Sequence, residues 1–128
     1  MSAAEAAREA HETSTDQLAI VERYERFADY IYPIWMGLPR AHYVLRDRAI
    51  GALLDQVGLF NVAGKSGVLT KLYAADAGLA TLRFYLRFCA DNRRKLISTH
   101  QHQVAAVHLA ETGRMLGAWI RRAQAAKR

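Results

Sequence analysis

Apolar residues recur every three or four positions along most of this chain, the period of helices that bury one side. The first run is Val21, Tyr24, Ala28, Ile31, Trp35 and Leu38. It predicts a helix from about Asp16, taken as the N-cap, to the break at Gly37-Leu38-Pro39. Pro33 removes one backbone hydrogen bond and is expected to bend this rod between Asp29 and Pro33. Pro39 falls near the first turn of a second helix, where a missing N–H costs little. That helix is expected over about Arg40 to Ala63, with Tyr43, Ile50, Leu53, Val57 and Phe60 on one side and Leu45, Ala49, Ala52, Leu59 and Ala63 on another. A helix apolar over so much of its circumference is either central or shared with a second subunit, so an oligomer is expected.

Gly64-Lys65-Ser66-Gly67 forms the turn into a third helix, about Val68 to Asn92. Leu72, Ala75, Leu79, Leu82 and Leu86 make its seam, while Asp76, Arg83, Arg87 and Arg94 lie within about 40° of one another on a different face at 100° per residue. Like charges at i and i+4 cost a helix a few tenths of a kcal/mol, so Arg83 above Arg87 suggests an anionic partner. A solvated face accounts for this segment taken alone equally well. Ser98 to Gln101 is a capping-box pattern opening a fourth helix that runs to about Ala123. There Leu109, Leu116 and Ile120 stand beside a row of small residues, Ala106, Ala110, Gly113 and Gly117, expected to admit a close neighbour. Four helices joined by short turns predict an all-α, antiparallel up-down-up-down bundle over residues 16–124. Residues 1–15 carry no large apolar anchor and are expected as a frayed or disordered tail, and residues 125–128 as a basic tail.

The chain has 128 residues, one domain's worth, and a net charge of +6. Placement matters more than the total: residues 1–39 hold three basic and seven acidic residues, residues 40–128 fifteen basic and five acidic, a surplus of +10. A basic body of that kind attracts polyanions, nucleic acid being the commonest. No apolar run approaches the roughly 18 residues of a spanning helix, so no membrane partner is expected. Residues 1–17 lack the apolar core of a secretory signal. The single cysteine, Cys89, excludes an internal disulfide and fits a reducing cytoplasm.

Candidate chemistry is sparse. Gly64-Lys65-Ser66 resembles the end of a phosphate loop, but residue 59 is leucine where the motif requires glycine, and no strand precedes it. His100, His102 and His108 do not converge at helical spacing as a zinc site demands. Glu22, Glu25, Asp29, Asp47 and Asp55 alternate with Arg23, Arg26, Arg46 and Arg48 and read as surface ion pairs. Cys89 has arginines near it but no base, and is expected as a buried, inert thiol. No enzyme activity and no cofactor are expected. The remaining site is a phosphate-reading surface of Arg83 and Arg87 with Lys71, Arg93, Arg94, Lys95, Arg121, Arg122, Lys127 and Arg128, and Tyr85 as the one aromatic considered for base stacking.

Six blocks carry a family resemblance: IVERYERF at 20–27, YIYPI at 30–34, LPRAH at 38–42, VAGKS at 62–66, KLYAADAGLATLRFYLRF at 71–88 and GRMLGAWI at 113–120. In this order, from Gln17 to Ile120, they closely resemble the accessory variability determinant (Avd) family of diversity-generating retroelements. More distantly the chain looks like the four-helix-bundle proteins encoded in ribosomal-RNA intervening sequences. The resemblance implies a bundle assembled as a barrel-like homopentamer that binds nucleic acid and the retroelement's reverse transcriptase. Such a protein supports mutagenic copying of a template-repeat RNA into cDNA, the polymerase site belonging to its partner. It also implies contacts at Arg83 and Arg87 within LRFYLRF and at Lys71. Contacts at Arg93, Arg94, Lys95, Arg121 and Arg122 rest on charge. The rival expectations are an RNA-binding bundle acting without a polymerase, and a structural oligomer whose positive face serves solubility.

Overall fold

The computed structural model describes residues 2–127, and the side chains of all of these except 13 and 14. Four helices follow one another, α1 (Ala3–Met36), α2 (Tyr43–Ser66), α3 (Leu69–Ala90) and α4 (Thr99–Ala126), with a 3₁₀ turn at Arg40–His42 before α2. Each packs closely on its sequence neighbours and α4 closes the ring against α1; among the described residues the diagonal pairs show no comparable backbone approach. Contacts pair early residues of one helix with late residues of the next: Gln17 with Asn61, Tyr24 with Leu53, Tyr73 with Gln124. The ring is therefore antiparallel throughout, the up-down-up-down bundle that short connections favour.

The first helix starts earlier than its apolar pattern. Residues 3–15 form helix rather than a frayed tail, because Ala, Glu and Arg are strong helix formers and the Ser2 Oγ accepts the Glu5 N–H at 3.1 Å. Ser2, not Asp16, is the N-cap. Pro33 is retained inside the last turn, and the Gly37 N–H donates back to the Pro33 carbonyl at 3.1 Å. At the other end, α4 extends through Ala126 where a tail was expected, and Arg128 lies outside the described residues.

The core is a single stack. α1 contributes Ile20, Tyr24, Phe27, Ile31 and Trp35, so Ile20 and Phe27 take the places expected for Val21 and Ala28, which are half-buried. Tyr24 stands edge-on to Phe60 at 5.6 Å between ring centres, and Phe27 edge-on to Trp35 at 6.5 Å. The Tyr24 hydroxyl donates to the Leu53 carbonyl at 2.6 Å, and burial pushes its pKa above the ordinary tyrosine value. α2 buries Leu53 and Phe60 from one expected row, Ala49 and Ala63 from the other, and Gln56 from neither. Tyr43, placed in that seam by its spacing, is instead exposed. The buried Gln56 donates from Nε2 to the Ala75 carbonyl at 2.8 Å. Its amide fits only because position 78 is glycine: a Cβ there would stand 2.1 Å from Gln56 Oε1.

The α3 seam, Leu72, Ala75, Leu79, Leu82 and Leu86, is buried as expected and continues to Cys89. Beyond it, the Leu96 and Ile97 N–H groups donate to the Cys89 carbonyl at 2.8 and 3.2 Å, and Ile97 plugs the end of the core. Ser98 then caps α4 reciprocally: its Oγ accepts the Gln101 N–H at 3.0 Å while Gln101 Oε1 accepts the Ser98 N–H at 2.9 Å.

Candidate functional site

Because the leucine seam of α3 turns inward, the residues about a quarter-turn away from it meet α4. Arg83 and Arg87 are among them. Arg83 is half-buried and lies across the small-residue row of α4, so that a Cβ on Gly113 would stand 2.6 Å from Arg83 Nη2. The close neighbour admitted by that row is thus an arginine side chain. Arg87 is exposed one turn further along. Between the two, Leu86, Ala106 and Ala110 floor a recess of about 310 Å³ whose rim also includes His102. Arg121, exposed on α4, runs back over Gly117, with Nη1 at 3.5 Å from where a Cβ would be. Among the described residues neither Arg83, Arg87 nor Arg121 has a carboxylate partner. Asp76, on the same angular stripe, is exposed and pairs with none of them. Arg83 and Arg87 therefore line one recess without an ion pair among the described residues, while Arg121 lies back along α4 over Gly117.

Not every expected cation joins them. α3 ends at Ala90, so the helical angle that aligned Arg94 with Arg83 no longer applies. Arg94 folds over the Phe88 ring, 3.5 Å from its centre, with Nη1 3.7 Å from Asp91 Oδ1. Arg93 holds the same carboxylate through its backbone N–H at 2.8 Å and Nε at 3.1 Å. These hydrogen bonds and the adjacent positive charges bring the Asp91 pKa down to about 2. Lys95 is exposed with φ 49° in the same connection. Arg93 and Arg94 thus build the α3–α4 turn. Arg122 faces α1 and is ion-paired with Asp16, while Lys71 and Lys127 are exposed near the opposite end of the bundle. Tyr85 packs half-buried against the core, and its neighbour Phe84 is the exposed ring, at 48%.

A pH consequence follows at Asp91. Its folded pKa lies below the ordinary 3.8, so its contribution to stability is complete above that value and is lost as pH falls through about 2. The stability difference between wild type and Asp91→Asn, measured by urea unfolding, is expected to be constant near neutrality and to vanish below about pH 2.

The acids behave differently from the expected surface pairs. Glu22, Glu25 and Asp29 are exposed on α1 without partners among the described residues, whereas Asp47 pairs with Arg46 and Glu111 with Arg114. Arg23 instead donates to His108 Nδ1 at 3.1 Å, which keeps that ring neutral with its proton on Nε2. Burial, then the charges of Arg23 and Arg26, hold the His108 pKa below its ordinary value. Burial likewise raises the Cys89 thiol, outweighing the opposing influence of the Trp35 indole and Arg94. The Trp35 Nε1–H itself completes no hydrogen bond of full geometry among the described residues.

A cleft of about 590 Å³ lies over Gly64 to Gly67. Glu9 lines it, and Lys65 stands at the negative C-terminal end of α2, the reverse of the polarity that cradles phosphate. Among the described residues no group of three His, Cys, Asp or Glu side chains converges, and no helix is long and apolar enough to cross a membrane.

With this geometry in place, comparison with known families is decisive: residues 18–123 match the model of the family described as bAvd-like. The chain belongs to the bAvd-like family. Its members are Avd-type accessory proteins, the kind to which the sequence blocks from Gln17 to Ile120 point. The match takes in all of α2 and α3, hence Arg83 and Arg87, and α4 as far as Ala123. No curated protein matches this bAvd-like chain. Within it, His102, weighed from the sequence only as a metal ligand, lines the recess instead, and the seating of Arg83 on Gly113 escaped sequence reasoning except through the glycine spacing of α4.

Proposed function

We propose that this bAvd-like chain is a non-catalytic accessory protein of a diversity-generating retroelement. In this reading it binds RNA through the α3/α4 groove and supports cDNA synthesis by the reverse transcriptase. The observation that carries the reading is the pair of guanidinium groups, Arg83 and Arg87, that line one recess beside a row of small residues with no ion pair among the described residues. Clustered arginines repel one another unless an anion meets them, and their planar forks suit phosphate oxygens. Lys71, Lys95 and Lys127 extend the positive field at the two ends of the bundle. The test is a salt titration of RNA binding. Affinity is expected to fall linearly in log–log form with increasing salt. No binding at low salt would overturn the reading.

We also propose that the chain assembles as a homopentamer. The outward side of α2 carries Tyr43, Val44, Leu54 and Val62 exposed, with Leu54 at 62%, and Gly51 and Gly58 face open space. Leu18, Tyr32 and Met36 add apolar surface on α1. A cyclic ring needs two different complementary patches; the exposed Phe84 and Val68 at α3 supply candidates for the second. We expect light scattering to return about five times the 14.4 kDa chain mass. Leu54→Asp is expected to dissociate the assembly without unfolding the bundle, since no core contact is lost. A wild-type monomer at micromolar concentration would remove the pentamer from the account.

A further inference from the structure

We propose that the recess between Arg83 and Arg87 receives one unstacked nucleotide of a single-stranded nucleic acid, its base on the floor and its flanking phosphates on the two arginines. The inference rests on the nucleic-acid reading above and goes beyond it by specifying which form of nucleic acid the site fits. A surface that only tracks phosphates needs cations and no cavity. Here the cations border a recess. It is an open recess of about 310 Å³, with Ala110 exposed in its lining. Its floor, Leu86, Ala106 and Ala110, is aliphatic and offers a base face no competing hydrogen bond. Its lining also includes the imidazole of His102, a planar group against which a base can stack while the guanidinium groups of Arg83 and Arg87 take the phosphates.

Gly113 lets Arg83 lie down against α4 instead of projecting into solvent, and the seam at Leu82 and Leu86 fixes the pitch between the two arginines. In a duplex the bases are paired and stacked, so only phosphates could reach the arginines and the recess would stay unused. A single strand can splay one base at no pairing cost.

The experiment is fluorescence anisotropy with four probes of matched length: single-stranded RNA, single-stranded DNA of the same sequence, the corresponding duplex DNA, and single-stranded DNA carrying consecutive abasic sites. Wild type is expected to bind both single strands about tenfold more tightly than the abasic strand or the duplex, the lower end of what one stacked base contributes. Ala110→Leu fills the recess while leaving every arginine in place; it is expected to abolish that preference and to leave duplex binding unchanged. Gly113→Ala is a second arm. It favours helix but displaces the Arg83 guanidinium, so single-strand affinity is expected to fall several-fold in a protein at least as stable as wild type. An abasic strand bound as tightly as the intact one, or a folded Ala110→Leu with its preference intact, would overturn the proposal. Absence of binding to all four probes would instead overturn the nucleic-acid reading on which it rests.

Discussion

Truncation of Phe60 to alanine is expected to destabilise the bundle by about 3–5 kcal/mol. Phe60 is fully buried, stands edge-on to Tyr24, and belongs to the stack that joins α1 to α2 through the Tyr24 hydroxyl and the Leu53 carbonyl. Losing it removes the transfer free energy of a large side chain and opens a cavity among aromatic rings that cannot collapse onto it. A drop of roughly 10 °C or more in Tm should follow, measured at fixed protein concentration because an oligomer makes Tm concentration-dependent. Leu54, on the same helix and almost as large, gives the control. Its side chain is exposed, so truncation should leave the protomer's own packing intact and change only its association. A Phe60→Ala protein as stable as wild type would mean that the aromatic stack contributes little to this core.

Helix type, order and connection length were legible from periodicity, and the α3 seam could be read residue by residue because its leucines sit at unambiguous three-and-four spacing. The α1 and α2 seams were less legible for a physical reason. Where Ile20 and Val21, or Phe27 and Ala28, are both apolar neighbours 100° apart, periodicity alone does not say which turns inward; burial selects Ile20 and Phe27. Gln56 was hidden because a buried amide breaks the apolar pattern, and only its bond to the Ala75 carbonyl and the space above Gly78 justify it. Residues 3–15 were missed because they form helix by propensity and capping, without an apolar face to announce it. In the candidate site, Arg83 and Arg87 were legible as a ladder, and the bAvd-like match covers both. Arg94 was misplaced because the angular argument was carried past Ala90, where the helix ends, and Arg122 because its partner Asp16 is more than a hundred residues away in sequence.

The second large effect concerns function. Arg83→Ala combined with Arg87→Ala is expected to weaken RNA binding by one to two orders of magnitude and, in the retroelement, to reduce cDNA synthesis. Each guanidinium offers charge-assisted contacts to phosphate, and an oligomer repeating the groove on every subunit multiplies the loss through avidity. Folding should survive. Arg83 and Arg87 lie outside the core and form no ion pair among the described residues, so truncation opens no cavity and strands no carboxylate. Arg93→Ala is the informative comparison: it releases Asp91 at the α3–α4 turn, and is expected to affect the stability of that turn more than RNA affinity.

The most direct test of the central claim, that the unpaired arginines of the α3/α4 groove read phosphate, is the salt dependence of RNA binding for wild type and the Arg83/Arg87 double variant. Circular dichroism and light scattering serve as controls for fold and assembly. Each lost phosphate contact should reduce the slope of log affinity against log salt by about 0.7 to 0.9. A shallower slope and weaker binding are expected in a variant that remains helical and keeps the mass of the wild type. Unchanged slope and affinity in that folded, assembled variant would contradict the claim and leave the arginine ladder as a solvated face.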